Sequence, residues 1–184
     1  RISYIAENGS LCIHNGKVLS RSSINQDLSM RIIDAVHSYP GCNCIVSGVE
    51  TLYTDSTDPR FIHYLIDTLN FDVKQVDNLK TDVPEPFLKI AVLDFEHSID
   101  CETYMKKQFS SEIKIVTSGN MWVDFIAPGT NKGIALQLLI DHLHIVPEEC
   151  IAFGDQYNDV EMLQLAGTSY AMSNAAPGIS YYST

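Results

Sequence analysis

Towards the end of the chain the sequence reads Cys150-Ile-Ala-Phe-Gly-Asp155-Gln-Tyr-Asn158-Asp159. The run Ile151-Ala-Phe is too short for a helix and too apolar for a loop, so it reads as a buried strand of the parallel kind. Gly154 lets the backbone turn. Asp155 then projects over the carboxyl edge of the sheet, where open α/β sheets bind ligands. Val160, Met162, Leu163 and Leu165 predict a helix directly after the turn. Asn158 and Asp159 fall at its start, where unpaired amides and the helix dipole favour negative charge. An isolated Gly-Asp would be a turn acid followed by an N-cap. The whole string Gly-Asp-x-x-Asn-Asp behind an apolar strand places carboxylates where a hard divalent cation could use them.

Upstream, Thr130-Asn131-Lys132-Gly133 opens an apolar helix carrying Ile134 and Leu138. A lone lysine at a helix start works against the dipole, so Lys132 calls for a reason beyond solvation. Ile145, Val146-Pro147-Glu148-Glu149 and Cys150 supply the loop and the start of the strand that lie between Lys132 and Asp155. After Asp159, Gly167-Thr-Ser-Tyr-Ala-Met172 reads as the next strand, followed by Ser173-Asn174-Ala175.

These segments together resemble the third and fourth motifs of the haloacid dehalogenase (HAD) superfamily, and most of all its Cof-type (subfamily IIB) sugar-phosphate phosphatases. Met121-Trp-Val-Asp124-Phe-Ile-Ala-Pro-Gly resembles the last cap strand of that family leading into the lysine motif. Tyr4-Ile-Ala-Glu7-Asn8-Gly9 resembles the segment where such chains leave the core. The resemblance implies an α/β fold, with part of a Rossmann-like HAD core at 1–19 and 128–184 and an inserted α+β cap at 20–127. It implies a Mg²⁺-dependent phosphatase acting on small phosphorylated metabolites such as sugar phosphates. Asp155 is then the metal ligand, and Lys132 is the catalytic cation beside the phosphoryl oxygens. Asp159 and Asn158 hold the loop and the lysine and help to place the phosphoryl group. Asp124 is a candidate for substrate contact, with core packing and a cross-strand pair as equal alternatives.

The family's nucleophile lies in an Asp-x-Asp-Gly-Thr strand, and no Asp-x-Asp occurs in these 184 residues. Nor does the sequence run on beyond the Asn-Ala turn into further core elements. The expectation is a piece of a longer protein, inactive by itself, whose parent carries the nucleophile. A noncatalytic binding fragment and a related phosphomutase are the alternatives. Ile90-Ala-Val-Leu-Asp94-Phe-Glu96 imitates the missing motif, but its third acid is Glu and no Gly-Thr follows. Asp94 is therefore read as a strand-end turn acid.

The rest of the chain is α+β in pattern. Ser3–Ala6, Leu11–Ile13 and Lys17–Ser22 read as strands, with Asn15-Gly16 as a hairpin turn. Leu28, Ile32, Ile33 and Val36 form a helical stripe that Pro40-Gly41 ends. A strand over Cys42–Val49, continued by Leu52–Thr54, precedes a helix over Arg60–Leu69 with Asp58 as N-cap and Pro59 in its first turn. Val73–Val76 and Phe87–Leu93 read as strands, Ile99–Phe109 as a helix, and Ile113–Thr117 with Met121–Ile126 as a hairpin turning at Ser118-Gly119-Asn120. At Ala127-Pro128-Gly129 the pattern changes to βα repetition.

Composition bounds the partners. The chain is 45% hydrophobic and 19% charged, as soluble globular proteins are. It has no run of about 18 apolar residues, and its first residues do not have the order of a secretory leader. A net charge of −11 argues against a nucleic-acid partner. The five cysteines have no framework spacing and read as buried thiols of a reducing cytoplasm. Cys42-Asn-Cys44 near His37 makes a poor zinc set, and the six histidines have no metal spacing. Nothing in the sequence sets an oligomeric state.

Overall fold

In a computed structural model, which describes residues 2–118 and 121–184, the chain forms two compact units. One comprises the residues up to Ser22 together with Gly129–Thr184, and the other Ser23–Pro128.

The first unit begins with a three-stranded antiparallel sheet of β1 (Ser3–Ala6), β2 (Leu11–His14) and β3 (Lys17–Arg21). Asn15 and Gly16 turn the β2–β3 hairpin with φ of 50° and 74°, the pair of positive values that a tight two-residue turn requires. Glu7, Asn8 and Gly9, between β1 and β2, also take positive φ.

The second unit opens with α1 (Gln26–Ser38). Asn25 caps it by accepting from the Leu28 amide, and its buried face carries Leu28, Ile32, Ile33 and Val36. Next come β4 (Asn43–Ser47) and β5 (Leu52–Thr54), which pair antiparallel. The strand expected over Cys42–Val49 therefore stops at Ser47, and Leu52–Thr54 returns alongside it instead of continuing it. The cause is Glu85, whose carboxylate accepts from the Val49 and Glu50 amides at 2.6 and 2.8 Å and pins the turn. Then follow α2 (Pro59–His63), running into a wider turn at Tyr64–Thr68, β6 (Val73–Gln75), β7 (Lys89–Leu93), α3 (Ser98–Phe109), β8 (Lys114–Ser118) and β9 (Trp122–Ile126). Asp58 caps α2 through the Arg60 amide, with Pro59 in the first turn. The expected hairpin turn at Gly119-Asn120 lies outside the described residues.

The six strands order as β6-β5-β4-β7-β9-β8, antiparallel except for β5–β6. Successive residues of a strand face opposite sides, and here both sides are covered. Cys44, Val46, Ile90, Val92, Val123 and Phe125 pack with α1 and α3. Ile45, Ala91 and Leu93 pack with Phe61 and Leu65 from the α2 segment. Asp94 ends β7, where its carboxylate accepts from the Glu96 and His97 amides at 2.8 and 2.9 Å. That is the strand-end turn read from the sequence.

The chain then re-enters the first unit with α4 (Lys132–Leu143), β10 (Ile151–Gly154), α5 (Val160–Leu165) and β11 (Thr168–Ala171). β10 and β11 pair in parallel, with Ile151 opposite Thr168 and Gly154 opposite Ala171. The expectation of a buried strand is only half right. Ala152 is buried against Leu163, Ala166 and Ile179 and Gly154 is buried too, but Ile151 and Phe153 are 65% and 60% exposed. Among the described residues only the α5 side of this two-stranded ladder is covered. On its open side Phe153 stacks on Tyr170, with ring centroids 5.4 Å apart.

This difference in cover predicts a difference in local opening. In these 184 residues by themselves, amide hydrogen exchange should be slow in β4, β7 and β9, which are flanked on both sides and packed on both faces, and faster in Ile151–Phe153. Protection of Ile151–Phe153 equal to that of β7 would refute this ranking.

Candidate active site

The site is built where α4 begins. Asn131 caps the helix by accepting from the Ile134 amide at 2.7 Å, which fixes the position of Lys132 one residue later. Gly133 lets this end of α4 approach α5, because a Cβ there would lie 2.7 Å from the Glu161 Cβ and 2.8 Å from its carbonyl oxygen. A larger residue would push the lysine away.

Lys132 Nζ meets Asp159 Oδ1 at 2.5 Å. The other oxygen, Oδ2, accepts from the Asp155 and Gln156 amides at 2.9 and 3.0 Å. Asp159 is nearly buried, whereas the lysine side chain retains 28% of its exposure. The pair thus holds a cation at the protein surface from a fixed, buried anion. Gly154 is required here for a reason the sequence did not disclose. A Cβ at Gly154 would lie 2.7 Å from the Asp159 Cβ and 3.1 Å from its Oδ2. The glycine makes room for the aspartate.

Asp155 follows at the end of β10, half-buried. Its backbone amide is committed to Asp159. Among the described residues its carboxylate shows no hydrogen bond or ion pair. Lys132, Asp155 and Asp159 line a cavity of about 390 Å³ with Ile5, Phe153 and Met162. No cluster of three or more His, Cys, Asp or Glu suited to a metal occurs among the described residues. One free carboxylate is nevertheless a fitting donor set for Mg²⁺, which is held through one or two carboxylates together with water and substrate phosphate.

Among the described residues Asn158 makes no hydrogen bond to the lysine. Its Nδ2 donates to Asn8 Oδ1 at 2.7 Å, and its own Oδ1 is buried without a partner. Asn8 is the residue that sequence reasoning does not assign to the site, although Tyr4-Ile-Ala-Glu7-Asn8-Gly9 resembles the segment where the family's chains leave the core. The available signal was an asparagine in a turn, a residue that tolerates the left-handed region, and Asn8 sits there at φ 56°. Asp124 lies in the second unit, on β9. It is 3% exposed, and Lys89 Nζ lies 3.7 Å from its Oδ2. The structure therefore gathers Lys132, Asp155 and Asp159 at one cavity, attaches Asn158 to its neighbouring loop, and gives Asp124 a basic partner of its own.

Comparison with known proteins gives the family. Residues 1–184 match the haloacid dehalogenase-like hydrolases, and the chain belongs to that family. It is 35% identical over 159 residues to the HMP-PP phosphatase of Cronobacter sakazakii, covering 83% of this chain and 57% of that protein. It is 26% identical over 179 residues to the 5-amino-6-(5-phospho-D-ribitylamino)uracil phosphatase of Escherichia coli, covering 97% of this chain and 66% of that one. The chain thus spans up to about two thirds of the length of these relatives. A crystal structure from Eubacterium rectale superposes with a TM-score of 0.87 at 26% identity, over all of this chain and 70% of that one. The fold is shared with a HAD subclass IIB sugar phosphatase at a TM-score of 0.81 and 21% identity, over 98% of this chain and 68% of the other. Among the described residues no helix is long and apolar enough to cross a membrane.

The ion pair has a consequence in acid. Burial works to raise the Asp159 pKa, but the hydrogen bond from Lys132 and the two amide donors outweigh it, and the carboxyl is held below its ordinary value. A depressed folded value contributes stability that is complete above the unfolded pKa of about 3.9 and is lost as pH falls through the folded value. In Lys132→Met the lysine's contribution disappears while burial remains, so Asp159 takes up its proton at higher pH. Acid unfolding followed by circular dichroism should shift to higher pH in this variant. An unchanged midpoint would show that the pair contributes no stability.

Proposed function

We propose that the protein containing this chain is a Mg²⁺-dependent phosphatase of the Cof type, acting in the cytoplasm on small phosphorylated metabolites such as sugar phosphates. The observation that carries this reading is the Lys132–Asp159 pair beside the unengaged carboxylate of Asp155, all on one cavity of the first unit. A cation fixed before substrate arrives can stabilise charge on transferring phosphoryl oxygens without reorganising. Lys132 plays that part, and Asp159 holds it in place. Asp155 would hold Mg²⁺, which when bound supplies positive charge to the phosphoryl group. Asn158 keeps the Asp155–Asp159 loop against Asn8. The second unit serves as the cap that excludes water and selects the leaving group, with Asp124 among its candidate contacts. The names of the relatives support a phosphorylated small molecule as the substrate class, and the acidic chain supports no nucleic-acid partner.

No Asp-x-Asp occurs in the 184 residues, and the nucleophile is assigned to none of them. The second reading is a noncatalytic ligand- or partner-binding role for these 184 residues by themselves. Turnover of p-nitrophenyl phosphate by the whole protein and by the 184 residues alone, with and without Mg²⁺, tests both. Metal-dependent hydrolysis by the whole protein supports the phosphatase and its absence refutes it, while hydrolysis by the 184 residues alone refutes the second reading.

Two variants test the roles. Lys132→Met should lower kcat by roughly 10²-fold or more, the cost of removing one electrostatic donor worth about 2.7–4 kcal/mol. A rise in KM with kcat within a few-fold would make Lys132 a binding residue only. Asp155→Ala should raise the Mg²⁺ concentration required for activity by roughly tenfold or more, since Mg²⁺ is held by few protein carboxylates. Unchanged magnesium dependence would remove Asp155 from the metal site.

A further inference from the structure

Two cysteines of the second unit, distant in sequence, meet in the fold. Cys42 follows the turn at Gly41 and leads into β4, and Cys101 lies in the first half of α3, fully buried. Their sulfurs are 2.8 Å apart. Both are free thiols here, and a disulfide would bring their sulfurs to about 2.05 Å. No comparable contact involves Cys12, Cys44 or Cys150 among the described residues. Of the two, Cys42 is only half-buried. A cavity of about 350 Å³ is lined by Cys42 together with His37, Asn43, Asp55, Ser56 and Asp58. Cys42 lines this cavity and Cys101 does not.

We propose that Cys42 and Cys101 form a reversible disulfide site, oxidised by thiol–disulfide exchange with a low-molecular-weight disulfide such as glutathione disulfide. Cys42 loses its proton, and its thiolate attacks one sulfur of the incoming disulfide, displacing one glutathione. Cys101 then loses its proton and attacks the Cys42 sulfur, displacing the second. The protein gives up two protons and two electrons, and glutathione disulfide takes them up as two thiols. The adjoining Cys101 sulfur first, and burial second, push the Cys42 thiol above its usual range. Thiolate is therefore scarce and the exchange is slow, so its equilibrium is the informative quantity. The product ties the entry of β4 to α3 across the main cluster of the second unit, beside the Tyr39–Tyr104 ring contact. Such a crosslink restricts the unfolded chain and favours the folded unit.

The test is a redox titration. The protein is equilibrated at increasing ratios of oxidised to reduced glutathione, acid-quenched, alkylated, and digested without reductant for mass spectrometry. The expected product is one crosslinked peptide pair joining Cys42 to Cys101 and lacking two hydrogens. It should grow with the ratio and vanish with reductant, while Cys12, Cys44 and Cys150 remain alkylated. In Cys42→Ser, a change at a half-exposed position whose folding is checked by circular dichroism, the crosslink should be absent and Cys101 recovered as a thiol. Full alkylation of all five cysteines at the most oxidising ratio would overturn the proposal. So would a glutathione adduct that persists on Cys42, or a crosslink between another pair.

Discussion

One buried carboxylate organises the first unit. Asp159 binds the Lys132 ammonium with one oxygen and the amides of Asp155 and Gln156 with the other. It thereby joins the start of α4 to the loop that leaves β10. Two glycines admit this arrangement, Gly154 by yielding space to the Asp159 side chain and Gly133 by letting α4 close on α5. A buried carboxylate without partners would be costly, and these three donors are what make its burial tolerable. The neighbouring Asp155 is in the opposite state. Its backbone amide is engaged by Asp159, while among the described residues its carboxylate has no hydrogen bond or ion pair.

The second unit shows how similar acids acquire different roles from their surroundings. Asp94 stands at the end of an apolar strand as Asp155 does, but its carboxylate is consumed by the Glu96 and His97 amides. Glu85 is consumed in the same way by the turn between β4 and β5. Asp124 is buried in the sheet with Lys89 nearby. Among these acids, the distinction between a structural and a chemical carboxylate is whether its oxygens are already satisfied.

Packing in the two units follows the same logic to different extents. The six-stranded sheet has helices on both faces, and its central strands bury nearly every side chain. The β10–β11 ladder has α5 on one face, and Phe153 and Tyr170 stack on the other. Hydrophobic strand sequences alone do not separate these cases, because an apolar run can be covered on one face or on two.

Much was legible from local pattern. The Asn25 and Asp58 caps, the Asn15-Gly16 turn, the α1 stripe and the α4 start at Asn131-Lys132 are all set by neighbours within a few residues, where propensity and hydrogen bonding act directly. The string Gly-Asp-x-x-Asn-Asp marked the place of the site for the same reason. What the sequence could not determine were relations between distant segments. The contact of Asn158 with Asn8, the capture of the β4–β5 turn by Glu85 and the meeting of Cys42 with Cys101 all join residues far apart in the chain or depend on a side chain's final direction, whereas the engagement of Asp159 with Lys132 was implied only through the family resemblance. The uncovered face of β10 is of the same kind. Local sequence determined which elements form and where they end; only the tertiary structure decided which polar groups are satisfied and which apolar faces are covered, because both depend on the distant segments that packing brings into reach.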